Sequence, residues 1–424
     1  MIDVKELKAR KDEIAQNIKN RYMNVDIEAI IKHQEERGAL LAEVEVLRAK
    51  RNETAAKMKQ KLDNETRQIY IAEGKAIKEE LAEKEAKLTE IEAVFNEEAR
   101  TIPNYASPEA PIGKEDKDNL AIKFFGEPTK FSFKAKDHVE LGESLDVLDF
   151  DTGAKVSGQK FYYVKNKLVI LQMALERFAM DIAIKHGFTP FITPDIAKEE
   201  VLHGIGFNPR GAESNIYTLE GTGTCLVGTA EITLGGYYQN SILEKKDLPI
   251  KMTGLSHCFR REAGGAGQYS KGLYRVHQFS KLEMFIICLP EQSDAFHKEI
   301  LAIEEEIFQG LGIPYRVVDT ATGDLGAPAY RKFDIEAWMP GRGDDGEYGE
   351  VTSTSNCTDY QSRSLNIRFR DEDGKIKFVH MLNGTALALS RAIVAIMENF
   401  QLEDGSIAIP EVLVPYCGFN KIEK

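Results

Sequence analysis

Three segments of the chain combine residue types and spacings that could do chemistry. The first, residues 258–285, is predicted to be a hairpin of two β-strands joined by a loop with four glycines. Its charged and amide side chains include Arg260, Arg261, Glu262, Lys271, Arg275, Gln278 and Glu283. Arginine presents a planar fork of donors that suits phosphate or carboxylate groups. Scattered surface charge explains Arg261 and Lys271 but not the other residues, so the hairpin is predicted to bind an anionic ligand.

The second segment, residues 348–363, is rich in serine and threonine. Glu350 and Ser353 place a carboxylate and a hydroxyl three residues apart, a pair that could hold a hard divalent cation between phosphates. Such loops are common, so these two residues alone favour an ordinary loop over a metal site.

The third segment, residues 381–399, is predicted to form a strand, a turn and a helix. Asn383 and Gly384 predict the turn, with Thr385 near the start of the helix. Arg391 lies inside this otherwise apolar helix. An arginine there is usually a snorkelling edge residue, but opposite an anion-binding hairpin it offers a second cation.

The elements that must position these residues alternate between two kinds of pattern. Helical periodicity covers 165–186, 292–311 and 386–399, and β-rich runs cover 279–289 and 364–369. In the first segment, one strand is predicted to end at Arg260 and Glu262 and a second to run from Tyr274 to Phe285, with Glu283 near its end. No repeated βαβ period and no G-x-G-x-x-G after a first strand occur, which argues against a Rossmann or P-loop core. We expect an α+β domain around an antiparallel sheet flanked by helices.

The first hundred residues differ from the rest. They contain none of the 14 prolines, and their only glycines are Gly38 and Gly74. Two series of positions step by four and three. The first is Leu40, Val44 and Leu47, followed after a polar gap by Met58 and Leu62, and the second is Ile77, Leu81, Lys84, Leu88, Ile91 and Phe95, in which only Lys84 is polar. We predict an antiparallel coiled-coil hairpin over about 28–100, with a turn near 63–66 and Asn64 or Thr66 as the cap of the second helix. The predicted domains are 1–105 and 106–424.

Composition limits the function classes further. The net charge of −13 has the wrong sign for holding nucleic acid by bulk electrostatics, so such a partner needs a local basic face. The five cysteines have no C-x-x-C spacing and are expected to be reduced core thiols. No apolar window reaches the roughly 18 residues of a membrane helix, and no secretory segment is recognised, so we expect a cytoplasmic protein with no membrane partner.

Several motifs resemble those of class II aminoacyl-tRNA synthetases. The run Phe259 to Phe285 resembles the second signature of that class, Asn383 to Glu398 the third, and Phe188 to Pro194 the first. Four motifs are similar to the seryl-tRNA synthetase family in particular: Phe-Arg-x-Glu-Ala-Gly-x-x-Gly from Phe259, Arg-x-His-Gln-Phe-x-Lys-x-Glu from Arg275, Gly-Thr-Ala-Glu ending at Glu231, and Pro-Glu-Val-Leu from Pro410. The chain departs from the family's frequent residues at Gly228, 268–271, 361–364 and Thr385, but these changes remove no residue that the chemistry needs.

The resemblance implies a two-step ligase. Serine and ATP form seryl-adenylate, and the seryl group then passes to the 3′ end of tRNA(Ser), with Mg²⁺ on the phosphates. It implies serine binding by Thr229, Ala230, Glu231, Arg260, Glu283, Asn383 and Thr385. It implies ATP binding by Arg260, Arg261, Glu262, Arg275, Val276, Phe279, Glu350, Val351, Thr352, Ser353 and Arg391. Arg260, Glu350 and Arg391 are the implied catalytic residues, and Glu350 and Ser353 are the implied metal ligands.

The same resemblance implies a class II catalytic domain over 106–424, a tRNA-binding arm over 1–105 and a homodimer through 188–200. The tRNA for selenocysteine is a further expected partner. Three alternatives stay open at this point. They are a non-catalytic coiled-coil scaffold, a ligase that loads an amino acid onto a carrier protein, and a synthetase of this class specific for threonine or proline.

Overall fold

A computed structural model describes residues 1–208, 214–263 and 269–424 of the chain. They divide into two compact units. The smaller unit comprises Asp3–Lys19 and Met23–Pro103, and the larger comprises Met1–Ile2, Asn20–Tyr22 and Asn104–Lys424. The middle of the predicted hairpin loop, 264–268, lies outside the described residues.

The smaller unit is built on three helices: α1 Lys11–Asn20, α2 Ile27–Met58 and α3 Asn64–Ala99. Helices α2 and α3 are antiparallel, because ion pairs link ascending positions on one to descending positions on the other. Two such pairs are Arg37–Glu92 and Arg48–Glu85, at 3.0 and 2.8 Å. Val44, Leu47, Leu81 and Leu88 form the buried seam. The predicted coiled-coil hairpin is therefore confirmed.

The turn between α2 and α3 lies earlier than predicted. Helix α2 ends at Met58, and Asp63 caps α3 by accepting a hydrogen bond from the Thr66 backbone N–H at 2.8 Å. The prediction of Asn64 or Thr66 as the cap is wrong, because Asn64 is already the first helical residue. An aspartate carboxylate is a strong acceptor for the unpaired N–H groups of a first helical turn.

The larger unit has these helices among its described residues: α4 His138–Ser144, α5 Phe150–Ser157, α6 Lys167–Lys185, α7 Glu199–Ile205, α8 Ala230–Gly236, α9 Ser293–Leu311, α10 Tyr360–Leu365, α11 Leu389–Asn399 and α12 Val414–Cys417. Its strands are β1 Leu120–Phe125, β2 Leu148–Asp149, β3 Tyr163–Val164, β4 Thr189–Ile192, β5 Ile196–Lys198, β6 Thr218–Leu219, β7 Thr224–Leu226, β8 Ile242–Glu244, β9 Ile250–Phe259, β10 Gln278–Cys288, β11 Tyr315–Asp319, β12 Arg331–Met339, β13 Glu347–Asn356, β14 Arg368–Arg370, β15 Ile376–Phe378, β16 His380–Ala388, β17 Ile407–Ala408 and β18 Lys421–Ile422.

Eight of these strands form one sheet in the order β1-β11-β12-β13-β16-β10-β9-β4. Each pair in it is antiparallel except β4 with β9, which is parallel. The expected α+β class with an antiparallel sheet is thus confirmed.

Strand β10 explains why the sheet is covered on both faces. Leu282, Met284 and Ile286 belong to one apolar cluster, together with residues of α6, α9 and α11. Phe285 and Ile287 belong to a second cluster, together with residues of α7 and α8. Successive side chains of a strand point to opposite faces, so a continuous apolar run needs cover on each side.

Two local predictions in the larger unit are wrong. Asn383 and Gly384 do not form a turn: they lie inside β16, and α11 begins only at Leu389. Likewise 364–369 is not a strand throughout, because α10 occupies Tyr360–Leu365 and β14 begins at Arg368. Both neighbours of β16 in the sheet hold its backbone extended, which overrides the local preference of an Asn-Gly pair.

The cysteines agree with expectation. Cys225, Cys258, Cys288, Cys357 and Cys417 are free and buried. No helix among the described residues is long and apolar enough to cross a membrane.

Candidate active site

A cleft opens where β9, β10, β13 and β16 approach the start of α11. It is lined by Arg260, Glu262, Tyr274, Arg275, Val276, Phe279, Lys281, Glu350, Val351, Thr352, Ser353, Thr385, Ala388, Ser390 and Arg391. All three segments singled out in the sequence therefore meet in one place.

Arg260 lies just after the end of β9 and is held by three contacts. Its Nε donates to the Gly228 carbonyl at 3.2 Å, and its backbone N–H donates to the His277 carbonyl at 2.9 Å. The guanidinium group lies over the Phe279 ring, 5.4 Å from the centroid. A cation fixed on its backbone and against a ring is oriented before any ligand arrives, which reduces the entropy lost on binding.

Arg391, near the start of α11, closes the opposite side of the cleft. Its Nη1 lies 3.1 Å from Glu350 Oε2 and donates to the Glu350 carbonyl at 3.0 Å. The guanidinium carbon lies 4.7 Å from the centroid of the Tyr274 ring, whose hydroxyl donates to the same carbonyl at 3.1 Å. The arginine is therefore a partly buried cation with a fixed direction, not a snorkelling edge residue.

Glu262 and Arg275 form an ion pair across the mouth of the hairpin, with Arg275 Nη1 3.1 Å from Glu262 Oε2. Glu262 has a φ of +50°, a value that costs free energy for any residue other than glycine. The backbone there is held in place by Arg261 and Ala263, which donate to Asn215. The carboxylate is thereby directed to the cleft that Val276 and Phe279 also line.

Behind the cleft lies a connected group of polar side chains, the inner polar cluster, consisting of Thr229, Glu231, Lys281, Glu283, Asn383 and Thr385. Glu283 is buried and lies at its centre. Its Oε2 accepts from the Thr229 and Thr385 hydroxyls at 3.2 and 3.5 Å and is ion-paired with Lys281. Lys281 also donates to the Thr385 hydroxyl at 3.3 Å.

Glu231 joins this cluster from the first turn of α8. Its Oε1 accepts from Asn383 Nδ2 at 3.0 Å and from Gln361 Nε2 at 2.7 Å. Burial and the neighbouring Glu283 carboxylate raise the pKa of Glu231 to about 7. Two carboxylates so close together, with hydroxyls and amides around them, suit a small ligand that carries a positive charge and a hydroxyl group.

A β-bulge sets the register of the inner polar cluster. Leu282 pairs with Leu387, but the next residue, Glu283, pairs with Thr385, so β16 carries one extra residue there. A bulge redirects side chains locally and is common beside functional sites. Because of it, the Thr385 hydroxyl lies against the Glu283 carboxylate. Glu283 lies in the middle of β10, which continues to Cys288, beyond the end predicted at Phe285.

Glu350 remains an anion under all ordinary conditions. Desolvation in the cleft opposes ionisation, but Arg391 and Lys332 together hold the pKa of Glu350 down at about 2. Its side chain is still 42% exposed on the open side, where Ser353 also lines the cleft. Among the described residues no group of three or more His, Cys, Asp or Glu could hold a metal ion by itself. A cation here would need oxygens from a bound ligand in addition.

The structure thus divides the predicted site residues into two sets. Most of the predicted nucleotide residues line the cleft, and Thr229, Glu231, Glu283 and Asn383 lie in the cluster behind it, with Thr385 in both. Ala230 is buried in the first turn of α8. Arg261 is exposed and does not line the cleft among the described residues.

Sequence reasoning missed Lys281, Tyr274 and Gln361. Lys281 lies between Phe279 and Glu283 at a spacing of two, so it shares their face of β10. That alternation is a signal that could have identified it. Tyr274 and Gln361 carry no such signal, because they reach the site only through the packing of Arg391 and Glu231.

The eight-stranded sheet and the cleft are those of a class II aminoacyl-tRNA synthetase. Residues 217–400 match the tRNA synthetase class II core domain (G, H, P, S and T), and residues 1–106 match the seryl-tRNA synthetase N-terminal domain.

Relatives that match the full length of the chain identify one family within this class. A serine–tRNA ligase of Treponema denticola is 63% identical, with 100% of each chain covered, and that of Borrelia recurrentis is 53% identical over 100% of this chain and 99% of the relative. The crystal structure of seryl-tRNA synthetase from Pyrococcus horikoshii complexed with ATP has a TM-score of 0.86 at 40% identity, covering 100% of this chain and 99% of that one. The chain belongs to the seryl-tRNA synthetase family, as its motifs indicated.

Proposed function

We propose that this protein is a serine–tRNA ligase, which activates serine with ATP and transfers the seryl group to the 3′ end of tRNA(Ser). The observation that carries the proposal is the juxtaposition of two sites. A cleft with Arg260 and Arg391 opens directly onto the inner polar cluster, and Thr385 and Lys281 belong to both. A triphosphate and a small amino acid can therefore meet in one cavity.

In the first step the serine carboxylate attacks the α-phosphate of ATP and pyrophosphate leaves. We assign Arg260 to the serine carboxylate and the α-phosphate, since it lies between the cleft and the inner polar cluster. We assign the Phe279 ring to stacking on the adenine base, and Glu262 to a hydrogen bond with the adenine amino group. Arg391 fits the other face of the base and the γ-phosphate. Catalysis here is positioning and stabilisation of the charge that develops on phosphate oxygens.

Serine selection is assigned to the inner polar cluster. The carboxylates of Glu231 and Glu283 suit the serine ammonium group. The hydroxyls of Thr229 and Thr385 are neutral hydrogen-bond partners for the bound serine. An apolar pocket discriminates weakly against a missing hydroxyl, whereas a polar pocket leaves its own groups unpaired when alanine binds. The second step, attack of the terminal tRNA hydroxyl on the adenylate, takes place in the same cavity.

We assign Mg²⁺ to Glu350 and Ser353. The fit rests on an ionised, part-exposed carboxylate and a hydroxyl on one strand facing the open cleft. Magnesium commonly takes one or two protein ligands and completes its shell with phosphate oxygens and water. When bound, it would neutralise charge on the phosphates of ATP.

The coiled-coil arm is assigned to tRNA, and we retain residues 1–105 as the tRNA-binding part and 106–424 as the catalytic part. Five cations near the turn between α2 and α3 have no ion-pair partner among the described residues: Lys50, Arg51, Lys59, Lys61 and Arg67. Farther from this turn, cations such as Arg37 form ion pairs. A local basic surface of this kind can bind a polyanion despite the net charge of −13.

Three finer assignments complete the proposal. The tRNA for selenocysteine is a second substrate, because this reaction also charges serine onto that tRNA. The protein acts as a homodimer through 188–200, where the edge strand β4 exposes Ile192. The reaction takes place in the cytoplasm, where its ATP and tRNA substrates are found.

The test is ATP–pyrophosphate exchange with serine, threonine and proline in turn, followed by charging of tRNA. We expect exchange with serine at least about 10-fold above that with threonine, whose extra methyl group the pocket must accommodate, and at least about 100-fold above that with proline, which lacks the hydroxyl group. Exchange with threonine or proline instead would change the substrate. Exchange without tRNA charging would favour loading of a carrier protein, and no exchange would favour a scaffold.

A further inference from the structure

One acidic side chain beneath the inner polar cluster has no part in the proposed chemistry. Glu304, on α9, has 0% of its surface exposed, and neither carboxyl oxygen accepts a hydrogen bond from a described residue. A Cβ atom added to Gly384 would lie only 2.7 Å from Glu304 Oε1. The carboxyl group therefore lies against the backbone of β16 between Asn383 and Thr385, two residues assigned to serine.

The groups that face Glu304 come from three strands: Lys281 and Glu283 on β10, Asp334 on β12 and Thr352 on β13. Burial, together with the Glu283 and Asp334 carboxylates, raises the pKa of Glu304 well above its usual range, and Thr352 and Lys281 oppose this only in part. A carboxyl group that is fully buried, accepts no hydrogen bond among the described residues and lies beside two other carboxyl groups is more stable neutral than ionised. A neutral carboxyl group has one O–H donor, which an ionised one lacks.

Thr352 connects this carboxyl group to the pocket. Strands β13 and β16 pair through Thr354 to Asn356 of β13. On the N-terminal side of Thr354, where Thr352 lies, the two strands are no longer paired. Across the gap the Thr352 hydroxyl donates to the Thr385 carbonyl, and the Thr354 hydroxyl donates to the Asn383 carbonyl at 3.0 Å. A hydroxyl that donates its proton still has lone pairs with which to accept.

We propose that Glu304 is a positioning residue of the serine pocket, whose neutral carboxyl group donates to Thr352 and so keeps the Thr352 hydroxyl directed to the Thr385 carbonyl. This inference rests on the proposed function. An ionised Glu304 would accept from Thr352 instead, and the Thr385 carbonyl would lose its donor. The Thr385 hydroxyl, 3.5 Å from Glu283 Oε2, would then be free to move.

Two variants and a control test the proposal by steady-state exchange kinetics. E304L removes the donor, and we expect the KM for serine to rise about fivefold or more, with the KM for ATP within about twofold, because one hydrogen bond to the pocket is lost. E304Q retains a donor and is expected to stay within about twofold of the parent at pH 7. The control is E305Q, because Glu305 interacts with Tyr315 and Lys123 instead and should leave both values unchanged.

A second measurement does not depend on serine. A carboxyl group whose pKa is raised by folding stabilises the folded state at low pH, and that contribution declines as the pH rises above the value of the unfolded chain. Glutamine does not titrate. The melting temperature of the parent should therefore fall relative to that of E304Q as the pH rises from 5 to 8.5. Over this range the unfolding equilibrium constant of the parent, divided by that of E304Q, should increase by up to about tenfold per pH unit.

The outcomes separate the two proposals. A melting-temperature difference that does not change with pH, or an E304L variant in which the KM for serine is unchanged or both KM values rise equally, overturns the role of Glu304. If E304L does not fold, the pH dependence of E304Q decides alone. If the parent itself shows no serine-dependent exchange, the proposed function fails, while the pH dependence of the melting temperature still reports the state of Glu304.

Discussion

Arg260 is the residue on which the proposed chemistry depends most. It is held by Gly228, His277 and Phe279, so replacing it removes a charge that is already oriented. We expect R260A to lower serine-dependent exchange by at least about 100-fold, since a preorganised charge-assisted contact is worth a few kcal/mol in the transition state. The melting temperature should change little, because the side chain has no ion-pair partner among the described residues.

The matched control for this prediction is R370A, since Arg370 is exposed at the end of β14, 3.9 Å from Glu244, and outside the cleft. It should retain the exchange rate of the parent. A fall of less than about tenfold in folded R260A would contradict the role assigned to Arg260.

The raised pKa of Glu231 predicts a pH dependence of serine binding. Burial and Glu283 bring the pKa of Glu231 to about 7, and the serine ammonium group needs the ionised form. The KM for serine should therefore rise as the pH falls, by about tenfold between pH 7.5 and pH 6. The measurement is serine-dependent exchange across that range for the parent and for E231Q. Glutamine cannot titrate, so the same slope in both proteins would exclude Glu231 as the group responsible.

At the residue scale, sequence predicts chemistry where it follows from type and spacing. Arg260, Glu262 and Arg391 were identified that way, and they line one cleft. Other features could not be read from the sequence. The bulge that places Thr385 opposite Glu283, and the proximity of the Glu231 and Glu283 carboxylates, depend on tertiary structure, which no local pattern encodes.

At the scale of elements, long helices were predicted more accurately than central strands. Helix α6 was predicted as 165–186 and occupies Lys167–Lys185, because a 3.6-residue period continues over five turns. The part of β16 from Asn383 onward was predicted as a turn and a helix, because Asn383 and Gly384 resemble a turn locally. Their true conformation is imposed by β10 and β13, which are distant in sequence.

The buried apolar seam of the coiled coil should provide most of the stability of the arm. Leu81 is 3% exposed and contacts the cluster around Val44, whereas the arm's ion pairs are exposed and each contribute at most about 1 kcal/mol. L81A should therefore lower the stability of the α2–α3 hairpin by about 2 to 5 kcal/mol, through the loss of buried methyl groups and the cavity left behind. Hydrogen exchange of arm amides measures this loss directly.

Val46 provides the control, since it is 54% exposed on the same hairpin and V46A should leave exchange protection unchanged. Serine-dependent exchange should be unaltered in both variants. Faster hydrogen exchange in the catalytic sheet of L81A would contradict the separation of the two units.

At the scale of the whole molecule, acidic composition and a polyanionic substrate are compatible because the functions occupy different parts of the chain. The residues assigned to serine and ATP lie between Thr229 and Arg391, all in the larger unit. The cations assigned to tRNA lie in the smaller unit, around the turn at 59–63. Net charge is therefore a poor guide to this partner, and its local distribution is a better one.

Deletion of residues 35–92, with a short linker in their place, tests this division. The new ends can be joined, because His33 and Glu98 are retained and their side chains meet across the hairpin, with His33 Nδ1 2.6 Å from Glu98 Oε2, so the remaining turns of α2 and α3 stay opposite each other. We expect serine-dependent exchange to remain within about threefold of the parent, since the deleted segment contributes no residue to the cleft. Charging of tRNA should fall by at least about 100-fold, because several phosphate contacts are lost together. The control is the parent assayed at rising salt, where charging should weaken and exchange should not. Equal loss of exchange and charging in the deletion variant would mean that the arm stabilises the catalytic unit rather than binding tRNA.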